Sequence, residues 1–338
     1  MRSTRPAASA PITLSGVSSI PSPDPSSVRY DGPWIHKDVH ANGIRFHIAE
    51  AAPTSGSGVR GDDTAETDTP LVLLLHGFGD FWWSWRHQLT GLADLGYRAV
   101  AVDLRGYGDS DKPPRGYDGW TLAGDVAGLI RALGHTDATL VGHAEGGLVC
   151  WATAVLHPRL VRSIAVVSSP HPVALKQAVL RDGRQRRMWL PNFLRYQPPR
   201  YGERLLTTRD GFEVERLLRQ RAGTDWAGSA DFVDTARRMR AAIRISGTAH
   251  CALEYQRWAF RSQWRPDGHR FMSAMREPVR IPVLALHGES DGYILDATIR
   301  RGQRLSPDRR IVSLTGAGHF AHQERPQEVT AELAKLLS

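Results

Sequence analysis

The sequence is most constrained by a series of short apolar runs that do not alternate with polar residues. The first, Leu71-Val72-Leu73-Leu74-Leu75, ends at His76-Gly77. A run that is apolar at every position, rather than every second one, suits a strand buried on both faces. Similar runs follow at Ala99–Asp103, Ala138–Gly142, Ile164–Ser168, Val283–His287 and Ile311–Leu314. Helical patterns separate most of them, for example Thr121–Leu133 and Leu148–Leu156, and Pro326–Leu337 reads as a final amphipathic helix. Strands alternating with helices predict an α/β fold with a mostly parallel central sheet. Ahead of this pattern, His36–Glu50 alternates around Asn42-Gly43, a hairpin signal with a turn that accepts positive φ. Residues 52–69 are rich in Gly, Ser, Thr and Asp and read as an exposed loop.

The alternation breaks after Ser169 and resumes at Val283. The intervening stretch is helical by pattern and rich in Arg and Trp. In open α/β sheets ligands bind outside the C-terminal strand ends, so a cap inserted there would roof the pocket. Residues 31–170 and 277–338 are therefore expected to form the core domain and 171–276 a helical cap. Residues 1–30, rich in Ser, Pro and Ala and without an apolar leader, read as a disordered lead-in. Of the 43 Lys and Arg residues, 21 fall in His171–Arg276, against 10 of the 35 Asp and Glu. Such a field could draw in anionic ligands or a membrane surface. Solvated faces of Arg-rich helices explain it more simply, because no nucleic-acid motif accompanies it.

Hydrophobic residues make up 41% of the chain and charged residues 23%, so a core is expected and wholesale disorder is excluded. No apolar stretch reaches the roughly 18 residues of a membrane-crossing helix. The two cysteines, Cys150 and Cys251, sit in apolar helical contexts, which argues against a disulfide framework and makes the cytoplasm the default compartment. The histidines are scattered and no phosphate loop or dinucleotide fingerprint occurs, so neither metal nor cofactor is expected.

The strongest local feature is Gly142-His143-Ala144-Glu145-Gly146-Gly147, between a strand and a helix. Small residues at 142, 146 and 147 fit a sharp turn that displays the central residue at a helix N-terminus, the shape of a nucleophile elbow. Asp291, in His287-Gly288-Glu289-Ser290-Asp291, follows the next strand but one, and His319, in Gly316-Ala317-Gly318-His319-Phe320, follows the last. Elbow, acid and base thus come in the order that this architecture uses. Asp291 would hold the His319 imidazole in one tautomer, and His319 would activate water. Glu289 is the rival acid.

These motifs resemble the α/β-hydrolases, and more narrowly the epoxide hydrolase and haloalkane dehalogenase branch, including actinobacterial epoxide hydrolase E-like proteins. His76-Gly77-Phe78-Gly79-Asp80-Phe81-Trp82-Trp83-Ser84-Trp85-Arg86 is similar to that branch's oxyanion-hole segment, which usually has Pro where this chain has Gly79. Asp103-Leu104-Arg105-Gly106-Tyr107-Gly108-Asp109-Ser110 is similar to the next signature; Asp103 and Arg105 are expected to be structural. The resemblance runs from about Trp34 to the C-terminus and is weakest in the cap. It implies an α/β-hydrolase fold with an inserted helical cap, and a hydrolase acting on a hydrophobic small molecule.

In that branch the elbow's central residue is Asp, and in esterases Ser. Ala144 has no lone pair with which to attack. Three readings stand: Ala144 replaces a nucleophile by mutation, from Asp or from the Ser of an esterase or lactonase; Ala144 is native in a catalytically silent binding protein; or Ala144 is native and Glu145 supplies the carboxylate. The backbone N–H groups of Phe78 and Glu145 are the expected oxyanion donors. His76, Trp82, Tyr196 and Tyr255 are candidates for substrate contact. The resemblance places Asn192 and Gln256 where the branch has its proton-donating tyrosines, a departure that weakens the case for epoxide chemistry. The expected partner is a hydrophobic small molecule, without nucleic acid or stable membrane insertion, and a homodimer is compatible with the sequence.

Overall fold

The computed structural model describes residues 21–53 and 69–338. Its centre is an eight-stranded sheet: β1 (Ile35–Ala41), β2 (Ile44–Ala51), β3 (Leu71–Leu75), β4 (Arg98–Val102), β5 (Ala138–His143), β6 (Val161–Val167), β7 (Val283–Gly288) and β8 (Arg309–Leu314). The strand order is β1-β2-β4-β3-β5-β6-β7-β8. The first two ladders, β1–β2 and β2–β4, are antiparallel, and the remaining five are parallel. The apolar runs coincide with the strands, and every residue of β3, β4, β5 and β7 is buried. At the hairpin, Asn42 and Gly43 both take positive φ, 46° and 79°, which matches the twist of the two strands.

Helices α1 (Arg86–Asp94), α2 (Gly119–Ala132) and α3 (Glu145–Leu156) connect the strands from β3 to β6. The chain then leaves the sheet for a continuous helical stretch: α4 (Pro172–Arg181), α5 (Gly183–Arg195), α6 (Tyr201–Thr207), α7 (Phe212–Arg221), α8 (Thr224–Ala227), α9 (Ala230–Ile243), α10 (Thr248–Arg261) and α11 (Pro266–Ala274). It returns through β7, α12 (Asp296–Arg300), β8, α13 (Ala321–Glu324) and α14 (Pro326–Leu337). Arg86 of α1 clamps the cap to the core, with both Asp231 carboxylate oxygens 2.6 Å from its Nη2.

The N-terminal expectation needs correction where the residues are described. Residues 21–30 were expected to be disordered, but Pro25–Val28 form a 3-10 helix with Val28 buried. The indole N–H of Trp82 donates to the Val28 carbonyl, and Arg29 pairs with Asp109 at 2.6 Å. Burial of Val28 and these polar ties hold the segment on the core. Residues 1–20, and most of the loop expected at 52–69, lie outside the described residues.

Candidate active site

The elbow follows from the size of its residues. A β-carbon on Gly142 would lie 2.5 Å from the Gly146 backbone, and one on Gly146 would lie 2.2 Å from the Leu75 carbonyl. Strand β5, strand β3 and the start of α3 therefore approach as closely as backbones can. Between them Ala144 takes φ 46° and ψ −112°, a conformation that side-chain-bearing residues rarely adopt. The turn displays Ala144 and Glu145 into a cavity of about 470 Å³ beneath the cap.

His319 and Asp291 meet beside the elbow. His319 Nδ1 lies 2.8 Å from Asp291 Oδ2, and Asp291 Oδ1 accepts the Tyr293 and Ile294 amides at 2.7 and 2.9 Å. Burial pushes the Asp291 carboxyl up, but the His319 imidazole, then His287 and the Ile294 amide, outweigh it and hold it below the usual value. His319 lines the cavity, and its Nε2 is buried without a hydrogen-bond partner among the described residues. Glu289, the rival acid, is exposed.

Glu145 lines the same cavity. Its Oε2 accepts the Phe78 N–H at 3.0 Å, and its Oε1 accepts from Gln256 Nε2. One of the two expected oxyanion donors is thus aimed at a carboxylate. The other, the Glu145 amide, begins α3, where first-turn amides have no intrahelical acceptor. Gly79, the departure from Pro, takes φ 71°, a value that a proline ring excludes.

Of the four expected substrate contacts, only Tyr255 lines the cavity. Its hydroxyl donates to the Arg105 carbonyl at 2.8 Å, so that proton is already engaged. His76 is instead a buried joint. Its Nε2 accepts the Leu104 amide at 3.1 Å, which leaves Nδ1–H for the Gly77 carbonyl at 2.9 Å, and burial lowers its pKa to about 4. Trp82 is fully buried among core aromatics. The Tyr196 hydroxyl donates to Glu213 at 3.2 Å, away from the cavity lining. Asn192 lines a separate polar cavity of about 310 Å³. Asp103 is structural, as expected: fully buried, it accepts the Trp82 and Asp109 amides at 2.9 and 3.0 Å and meets His47 at 2.7 Å.

Two residues escaped the sequence reasoning. Tyr293 lines the cavity with its ring edge-on to His319, the centroids 5.2 Å apart. Burial raises its hydroxyl to about 12, against the pull of the Arg221 guanidinium 3.6 Å over the ring. Glu324 lies behind His319 and accepts three amides, Gly318 at 2.7 Å, Gly223 at 2.9 Å and Phe320 at 3.0 Å. The spacing from Asp291 to Tyr293 was a signal for the first; for the second, a lone Glu before Arg325-Pro326 carries none.

No metal was expected, yet the fold does gather Asp80, His143 and His322, with ligand-capable atoms within 4.8 Å of one another. None of the three lines the cavity. Burial holds both imidazoles well below their ordinary value and lifts Asp80 to about 7, so burial disfavours the charged form of all three groups.

The α/β hydrolase fold family matches residues 70–326. Epoxide hydrolase 3 of Xenopus tropicalis is 34% identical over 295 residues, covering 85% of this chain and 73% of the relative. Epoxide hydrolase A of Mycobacterium tuberculosis is 30% identical, covering 89% and 96%. The crystal structure of epoxide hydrolase A from Mycobacterium thermoresistibile superposes with a TM-score of 0.72 at 27% identity, over 90% of this chain and 98% of that one. The chain belongs to the α/β-hydrolase family, in its epoxide hydrolase branch.

Proposed function

We propose that the protein hydrolyses an apolar epoxide, with the Glu145 carboxylate doing what the side chain at 144 cannot. The observation that carries this reading is the Phe78 N–H pointing at Glu145 Oε2. A carboxylate nucleophile needs one oxygen in the oxyanion hole, because that oxygen bears the charge when water later attacks the ester. A glutamate one position beyond the apex has an extra methylene with which to reach back.

Oε1 of Glu145 attacks an epoxide carbon. The C–O bond breaks with its electron pair on the epoxide oxygen, which takes the Tyr293 phenol proton, leaving a hydroxyalkyl ester and a phenolate. His319 Nε2 then removes a proton from water as the water attacks the ester carbonyl. Asp291 stabilises the imidazolium, and the Phe78 and Glu145 N–H groups stabilise the tetrahedral oxyanion. Collapse expels the diol oxygen, which takes the proton from His319. The regenerated carboxylic acid returns its proton to Tyr293, and the sum is epoxide plus water giving diol. The lining supports an apolar substrate: Leu148, Trp189, Phe193, Trp258, Phe271 and Ile294 surround the cavity.

The test is a mass measurement after incubation with a panel of apolar epoxides. His319→Ala is expected to stop at the ester and gain the mass of one epoxide on the peptide containing Glu145. Glu145→Gln should gain none and lose at least about a thousandfold in turnover. Ligand binding with neither adduct nor turnover in the unaltered chain would instead favour the silent binding scaffold. Ester cleavage gained by Ala144→Ser, without epoxide turnover in the unaltered chain, would favour the esterase or lactonase reading.

A further inference from the structure

Lys176 and Leu180 of α4 and Trp264 of the 3-10 turn Ser262–Trp264 line the cavity and are exposed, which marks its mouth. Two apolar side chains stand in water at this mouth, Leu180 (66% exposed) and Trp264 (68% exposed), and both line the cavity. Part of the cap's surplus of positive charge lies beside them. Off the cavity lining, Arg216, Arg237, Arg238, Arg240 and Arg257 each meet a carboxylate within 2.7 Å, while Arg200, Arg204 and Arg209 are exposed and form no ion pair among the described residues. Beside the mouth, Lys176, Arg181, Arg186 and Arg265 are exposed and form no ion pair among the described residues. Lys176 lines the opening itself, and Arg186 donates to the Leu180 carbonyl at 3.2 Å. Of the acids nearest in sequence, Asp182 is occupied in capping α5, and Asp267, in the first turn of α11, lies two residues from Arg265.

We infer that this rim docks on an anionic lipid bilayer, so that the cavity loads its apolar substrate from the membrane. The chemistry on both sides matches. Tryptophan and leucine settle at the level of the headgroups, and unpaired Lys and Arg side chains are drawn to an anionic leaflet. Two anchors alone give marginal binding, so the cations are required. No helix among the described residues is long and apolar enough to cross a membrane, so the contact is peripheral. A second copy of the chain is a poorer occupant: two exposed apolar side chains fall far short of the roughly 800 Å² per partner of a stable interface, and a two-fold axis would bring like charges together. The docking does not depend on which residue opens the substrate.

Flotation of the full chain with phosphatidylcholine vesicles, with and without phosphatidylglycerol, tests it. The chain should float with the anionic vesicles, less so as salt is raised, and remain at the bottom with the neutral ones. Each cation near an anionic surface contributes about fivefold in affinity, so Arg186→Gln with Arg265→Gln should weaken binding roughly 25-fold. Leu180→Ser with Trp264→Ser should abolish what binding survives at high salt. Unchanged melting temperatures would show that both pairs fold. Equal partition to neutral and anionic vesicles, or full binding by both double variants, would overturn the inference. So would a dimer, seen by light scattering, that the Leu180 and Trp264 substitutions dissolve.

Discussion

Ala144 sits in a conformation that costs roughly 1–3 kcal/mol for a residue with a β-carbon, with φ at 46°. It persists because the close approaches at Gly142 and Gly146 determine the turn from both sides. The strain therefore belongs to the elbow, whatever side chain stands at its apex. Ala144→Gly should release it and raise unfolding stability by about 1 kcal/mol, seen as a higher urea midpoint at unchanged m-value; no gain would mean that the elbow is relaxed. The sequence displayed this turn because backbone contact demands small residues at fixed offsets. It also pointed to Glu145, whose position after the apex faces the cavity. It could not tell which tryptophans and tyrosines line that cavity. Trp82 and Tyr196 are of the same residue types as Trp189 and Tyr293, and only the packing of distant elements separates them.

The parallel strands were legible from runs buried on both faces, because a sheet covered by helices leaves no polar face to interrupt them. The loops that carry chemistry are held by contacts with no sequence period. Glu324, in α13, bridges the His319 loop and the cap segment before α8 through its three amide bonds. The His319 amide, in turn, donates to the Arg221 carbonyl at the end of α7, which ties the loop of the base to the cap. Burial raises the Glu324 carboxyl, and the three amides pull it back without restoring its ordinary value. Glu324→Gln turns one acceptor oxygen into an N–H donor facing another N–H. It should destabilise the fold by about 1–3 kcal/mol and lower kcat more than it raises KM. Asp291 still supports the imidazole, so the pH profile should keep its shape. A changed profile would mean that Glu324 tunes His319 rather than positions its loop.

At the scale of the whole molecule, the unusual property is the number of histidines buried without charge. Burial lowers His76 to about 4 and His171 to about 3, and holds His143 and His322 well below their ordinary 6.5. Each is protonated in the unfolded chain below about pH 6.5 and neutral in the folded one. Falling pH therefore favours unfolding, and their contribution is complete only above that pH. Asp80 works in the opposite sense. Lifted to about 7 from a carboxyl's usual 3.8, it keeps its proton in the folded chain while the unfolded chain has lost it, so its burial is least unfavourable in acid. Between pH 7 and 5.5 the histidines together remove several kcal/mol, and Asp80 returns the smaller part of it, so the net is a loss. Urea midpoints measured across this range should fall steeply, and His322→Phe, which fills the same buried space without a titrating group, should flatten the fall by about one histidine's share. A flat profile down to pH 5.5 would mean that these imidazoles find protons or partners inside the folded chain. The same result would mean that burial does not disfavour the charged forms of Asp80, His143 and His322, because a charge on any one of them changes the state of the other two.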